Sequence, residues 1–142
     1  MNELRWPAIW RAAVSVSIFL IPIGVLQRVL VDRETGGKAT AGIYVITFVI
    51  FVLGMVAGFG AAKLAREHVL PNGAAAGALA YLIAAFAALV RVAVFGGGGL
   101  SVVGVAFSAI TMATCGMFGA GLERRSRALR EVVPRDDAPK PD

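Results

Sequence analysis

The sequence predicts an all-α protein, an antiparallel four-helix transmembrane bundle, and three observations carry that prediction. Four apolar stretches, residues 12–31, 41–62, 74–95 and 100–122, fill most of the 142 residues. Each matches the roughly 20 helical residues that cross a hydrocarbon core of about 30 Å. Charge, apart from Arg28 and Arg91 near two helix ends, lies between and beyond these stretches. Apolar residues make up 58% of the chain and mean hydropathy is +0.76, above the roughly 45–50% apolar content of ordinary soluble domains. A chain this short could not hide so much apolar surface from water, whereas lipid can cover it.

The elements follow in order. Residues 1–11 form a lead whose Trp6 and Trp10 suit the headgroup level, with the ring body in lipid and the N–H wet. Arg5 and Arg11 before an apolar run would fit a signal peptide. That run instead ends in Gln27-Arg28-Val29-Leu30-Val31 with no A-x-A-like cleavage site, so a retained helix is expected. Pro22 removes a backbone donor near its middle and predicts a kink. A polar loop over 32–40 carries the turn signal Gly36-Gly37. The second stretch is rich in β-branched and aromatic residues, a strand signature in water; in lipid its backbone must be satisfied internally and becomes helical. Loop two, residues 63–73, ends in the breaker Pro71-Asn72-Gly73, and loop three, residues 96–99, is four glycines that allow only a tight hairpin. Residues 1–133 form one domain, and the Pro/Asp-rich residues 134–142 are expected to be disordered.

Lysine and arginine set the orientation. Arg5, Arg11, Lys63, Arg66, Arg124, Arg125, Arg127, Arg130, Arg135 and Lys140 fall on one side, against Arg28, Arg33, Lys38 and Arg91 on the other. The positive-inside rule then puts both termini in the cytoplasm of a plasma-membrane protein, and a cysteine label finding residue 37 cytoplasmic would overturn this. The halves also echo one another. Gln27-Arg28-Val29 resembles Val90-Arg91-Val92, and the glycine run from Gly54 resembles that from Gly116. Either two duplicated hairpins, related by an axis along the membrane normal, or the chance likeness of Gly/Ala/Val-rich helices accounts for this.

In lipid no hydrophobic effect drives helices together, so small residues that admit a neighbouring backbone mark the contacts. Gly54 with Gly58, Gly73 with Gly77 and Gly116 with Ala120 recur at intervals of four, as does the stripe Ala76, Ala80, Ala84, Ala88. These are the expected helix-packing residues, within one bundle or across a homo-oligomer face. Arg28 and Arg91 are candidates for an outer anion or headgroup site. The plainer alternative is that each snorkels to the interface, with Asp32 one turn beyond Arg28 as an ion-pair partner. Arg124, Arg125, Arg127 and Arg130 are expected to contact anionic lipids at the cytoplasmic face, each adding about 1 kcal/mol. Hydroxyls at Ser15, Ser17, Thr47, Ser108, Thr111 and Thr114 are expected to bond carbonyls one turn back, and Gln27 and Tyr81 to bond between helices.

Catalysis, cofactors and metals are not expected. No base lies near these hydroxyls in sequence, one cysteine (Cys115) and one histidine (His68) build neither a disulfide framework nor a haem site, and no acid falls within the four stretches, which argues against proton-coupled transport. The net charge of +5 flanks apolar helices and does not imply nucleic acid.

The join between halves, Gly54-Met55-Val56-Ala57-Gly58 followed by Asn72-Gly73-Ala74-Ala75-Ala76-Gly77, resembles a recurring pattern in small four-span bacterial membrane proteins. Cys115-Gly116-Met117-Phe118-Gly119 is similar to the last span of uncharacterised actinobacterial members of that group. The resemblance implies an all-helical integral membrane protein and supplies no functional residues. The function expected is structural or accessory, in a homo-oligomer or larger membrane complex. The alternative is a small transporter or channel, with its pathway between the glycine-bearing ends of the second and fourth helices.

Overall fold

A computed structural model describes residues 4–33, 41–65, 67–96 and 101–132, the side chains of residues 28, 31–33, 131 and 132 excepted. Four helices follow in order: α1 (Trp6–Arg33), α2 (Ala41–Leu64), α3 (Val69–Phe95) and α4 (Val102–Val132). All four are long and apolar enough to cross a membrane. The chain is an antiparallel four-helix bundle and a multi-pass membrane protein.

Each helix differs in extent from its apolar stretch, for local reasons. α1 starts at Trp6, so Pro7 and Trp10 belong to the helix and not to a lead; a proline in the first turn forfeits an N–H that has no partner there anyway. The same reason lets α3 start at Val69 and take in Pro71-Asn72-Gly73, expected as a breaker. α1 runs unbroken through Pro22. α3 stops at Gly96, whose φ of 73° favours glycine and whose N–H reaches the Val92 carbonyl. α4 is opened by Ser101, whose side-chain oxygen accepts from the Gly104 N–H at 3.3 Å. It continues ten residues past the apolar stretch, and its 31 residues make it about 46 Å long. The tail 134–142, Arg66, Arg135 and Lys140 lie outside the described residues, as do loop one from residue 34 and Gly97 to Gly99.

α1 and α4 occupy opposite corners, each resting on α2 and α3, and among the described residues their backbones do not approach one another. α2 and α3 close the centre by contacting each other. A two-fold along the membrane normal exchanging the halves would make α2 on α3 equivalent to α1 on α4, so the hairpins are not related by such an axis. They lie side by side, α1 parallel to α3 and α2 parallel to α4. The Ser17 hydroxyl, bonded to the carbonyls of Ala13 at 2.7 Å and Ala80 at 3.2 Å, sets the α1–α3 register. That register brings residue 28 level with residue 91.

Burial divides the bundle across its length. Ile9, Ala13, Val16 and Leu20 of α1 pack with Ala57 and Ala61 of α2, Ala76 and Ala80 of α3 and Met112 of α4. Beyond the level of Leu20, Gly54, Ala80 and Met112, no described residue toward the two outer loops is buried. The half bearing the termini is closed, and the other half is splayed.

Candidate functional site

The closed half is held by glycines on three helices. A Cβ on Gly58 would run into the Gly116 backbone; one on Gly116 would meet the Gly73 carbonyl and, at 3.3 Å, the Gly77 Cα; one on Gly77 would meet the Met112 carbonyl. A Cβ on Gly73 would strike the Ala120 methyl and lie 2.7 Å from the Gly116 carbonyl oxygen, and one on Gly54 would lie 2.9 Å from Met112 Cε. All six packing residues expected from the four-residue spacing therefore meet around α4. Gly119, not singled out by spacing, presses on the Met55 carbonyl in the same way. α2 and α4 are in backbone contact here, at the glycine-bearing ends between which the alternative function expects a pathway.

Polar side chains fasten the terminus-bearing end. Asn72, fully buried, accepts from the Arg5 N–H at 3.0 Å and donates to the carbonyls of Glu67 at 3.1 Å and His68 at 3.0 Å. It ties the start of α1 to the start of α3 and steadies His68, which adopts the left-handed conformation (φ 50°) before the helix. On α4, Glu123 is only 4% exposed and lies inside the helix, not in an exposed tail. Its Oε1 accepts from Arg127 Nε at 3.0 Å, and Arg127 Nη2 donates to the Ala62 carbonyl at the end of α2. Oε2 is buried with no partner among the described residues. Arg127, expected at lipid headgroups, also turns Nε and Nη2 inward while its side chain stays 31% exposed. Arg124, Arg125 and Arg130 remain exposed, and Arg124 lines an open hollow of about 560 Å³ with His68, Pro71 and Arg127. The proline-led first turn and the Glu123–Arg127 spacing of four were the sequence signals for these contacts.

The splayed half holds a cleft of about 440 Å³ between α1, α2 and α3. Leu20, Ile21, Gly24 and Val25 form one wall, Ala84 and Ala88 the facing one, and Ile50 closes the side. The alanine stripe thus serves two purposes: Ala76 and Ala80 are buried against α1, while Ala84 and Ala88, beyond the level of Leu20, line open space. Tyr81 lies at the inner end, and Gln27 and Arg91 at the outer. Gln27 Nε2 donates to Thr47 Oγ1 at 3.0 Å, linking α1 to α2, and Thr47 donates back to the Ile43 carbonyl. Thr111 and Thr114 likewise bond carbonyls one turn back. The side chains of Arg28 and Asp32 lie outside the described residues, so of the pair Arg28 and Arg91 the structure assigns only Arg91 to the cleft. Among the described residues no three His, Cys, Asp or Glu side chains cluster as metal ligands.

No family model, curated protein or solved structure matches this chain.

Proposed function

We propose that this chain is a non-enzymatic accessory protein of a bacterial plasma membrane, with both termini in the cytoplasm. One observation carries the accessory role: Gly58, Gly73, Gly77 and Gly116 lock α2, α3 and α4 backbone to backbone. Small-residue contacts of this kind hold helices at close range in lipid, and alternating access needs one unit to rock against another. The locked core supports a fixed platform that offers its outer faces to partners in a larger assembly or a second copy. The excess of Lys and Arg on the side of the termini supports the orientation, with Arg124, Arg125 and Arg130 contacting anionic headgroups there.

Purification in mild detergent from native membranes, followed by mass spectrometry, is expected to recover a stoichiometric protein partner or a defined homo-oligomer. A chain that stays monomeric and alone in several mild detergents refutes the accessory role. The splayed half favours a second reading, a small transporter using that cleft, and saturable, specific flux through the chain in liposomes would establish it instead.

A further inference from the structure

We propose that the cleft between α1, α2 and α3 is a binding site for an anionic phospholipid of the surrounding bilayer, with one acyl chain inside and the headgroup at Arg91. Four features of the cleft point to that occupant. Its walls from Leu20 to Val25 and along Ala84 and Ala88 are apolar and lie within spanning helices, so the medium that reaches them is lipid. The space is real at the level of the backbone: a Cβ on Gly24, in the α1 wall, would meet nothing within 4 Å. From Tyr81 to Arg91 the wall advances ten residues along α3, about 15 Å at 1.5 Å per residue, or half of a hydrocarbon core of roughly 30 Å. That is the depth of one leaflet, hence of one acyl chain. The volume of about 440 Å³ falls within the roughly 300–1,000 Å³ of small-molecule sites.

The polar groups are distributed as such a ligand requires. Arg91, exposed at the outer end of the cleft, presents a guanidinium, whose planar fork matches two oxygens of a phosphate. Gln27, also lining the outer end, gives one Nε2 hydrogen to Thr47 and keeps the other to donate to an ester oxygen. A zwitterionic lipid would fit the walls equally well but would bring its own cation to the arginine, so the preference is for net negative charge.

The test uses the full chain in detergent, titrated with phosphatidylglycerol or phosphatidylcholine of identical acyl chains and read by native mass spectrometry. One tightly retained phosphatidylglycerol per chain is expected, favoured about tenfold over phosphatidylcholine, as a charge-assisted contact implies. Arg91→Gln should bring the two lipids level. Gly24→Leu and Ala88→Phe, which fill the cleft, should reduce retention of both; the Cβ of Gly24→Leu enters open space, so that variant should melt no lower than the unmodified chain. Equal retention of the two lipids by the unmodified chain, or a preference that survives Arg91→Gln, overturns the proposal. Displacement of the lipid by millimolar inorganic phosphate, or full retention in Gly24→Leu, would show that the headgroup binds without a chain in the cleft, and also overturns it.

Discussion

Gly116 stands where three backbones converge, and a single methyl there separates packing from helix propensity. Gly116→Ala should lower stability by about 1–3 kcal/mol, as overpacking of a filled contact does, because the added Cβ meets a carbonyl and not a flexible side chain. Gly24→Ala, whose Cβ meets nothing, should be neutral or raise stability by about 0.5–1 kcal/mol, the ordinary gain on replacing a helical glycine. Thermal denaturation in detergent checks both, and equal effects would refute the packing argument. Asn72 makes a comparable test in polar chemistry. Its replacement by alanine removes the bond to the Arg5 N–H and should cost about 0.5–1.5 kcal/mol, read as faster trypsin cleavage after Arg5. The glycines were legible because spacing of four places small residues on one helix face. Asn72 was not, because Pro-Asn-Gly carries the same signature in a turn as in the first turn of a helix.

The helices show which boundaries a sequence can and cannot reveal. Existence and order of all four followed from apolar length alone, since lipid demands a continuous apolar run and an internally bonded backbone. The apolar stretches start later than the helices at Trp6 and at Val69, where each helix takes in a proline-bearing first turn, whereas the continuation of α4 through residues 123–132 is an extension that the sequence allows. Glu123 is the instructive case: followed by two arginines just past the apolar stretch, it gives no sequence sign of burial, yet α4 carries it against the end of α2. Arg127→Ala should leave that carboxylate buried without its partner and cost about 1–3 kcal/mol, less than for a fully enclosed pair because Arg127 is 31% exposed. Arg124→Ala, on an exposed face, should change stability by under about 0.5 kcal/mol. The double variant Glu123→Gln with Arg127→Gln should recover part of the loss, and chemical denaturation in detergent measures all three. Equal costs at 124 and 127 would mean that the inward pair adds nothing.

For the molecule as a whole, the splay of one half was invisible in sequence. A residue facing lipid and a residue facing another helix are both apolar in a membrane protein, so composition does not distinguish a closed half from an open one. Gln27, Tyr81 and Arg91 are separate polar residues in the sequence, and their convergence on one cleft depends on the α1–α3 register marked by the Ser17–Ala80 bond. Topology is testable directly. With Cys115 replaced by alanine, a cysteine at residue 37 should react with an impermeant maleimide on intact cells, and one at residue 137 should react only after lysis. The reverse pattern would invert the proposed orientation.

The glycine contacts also fix how the protein should respond to temperature. Burial from water loses strength on cooling, but in lipid these backbones are held by dispersion and dipolar contact, which cold does not weaken. On warming, rotamer freedom is regained first where side chains have room, around the outer loops. Heating should therefore loosen the chain progressively from that end, and the glycine layer should be the last part to give way.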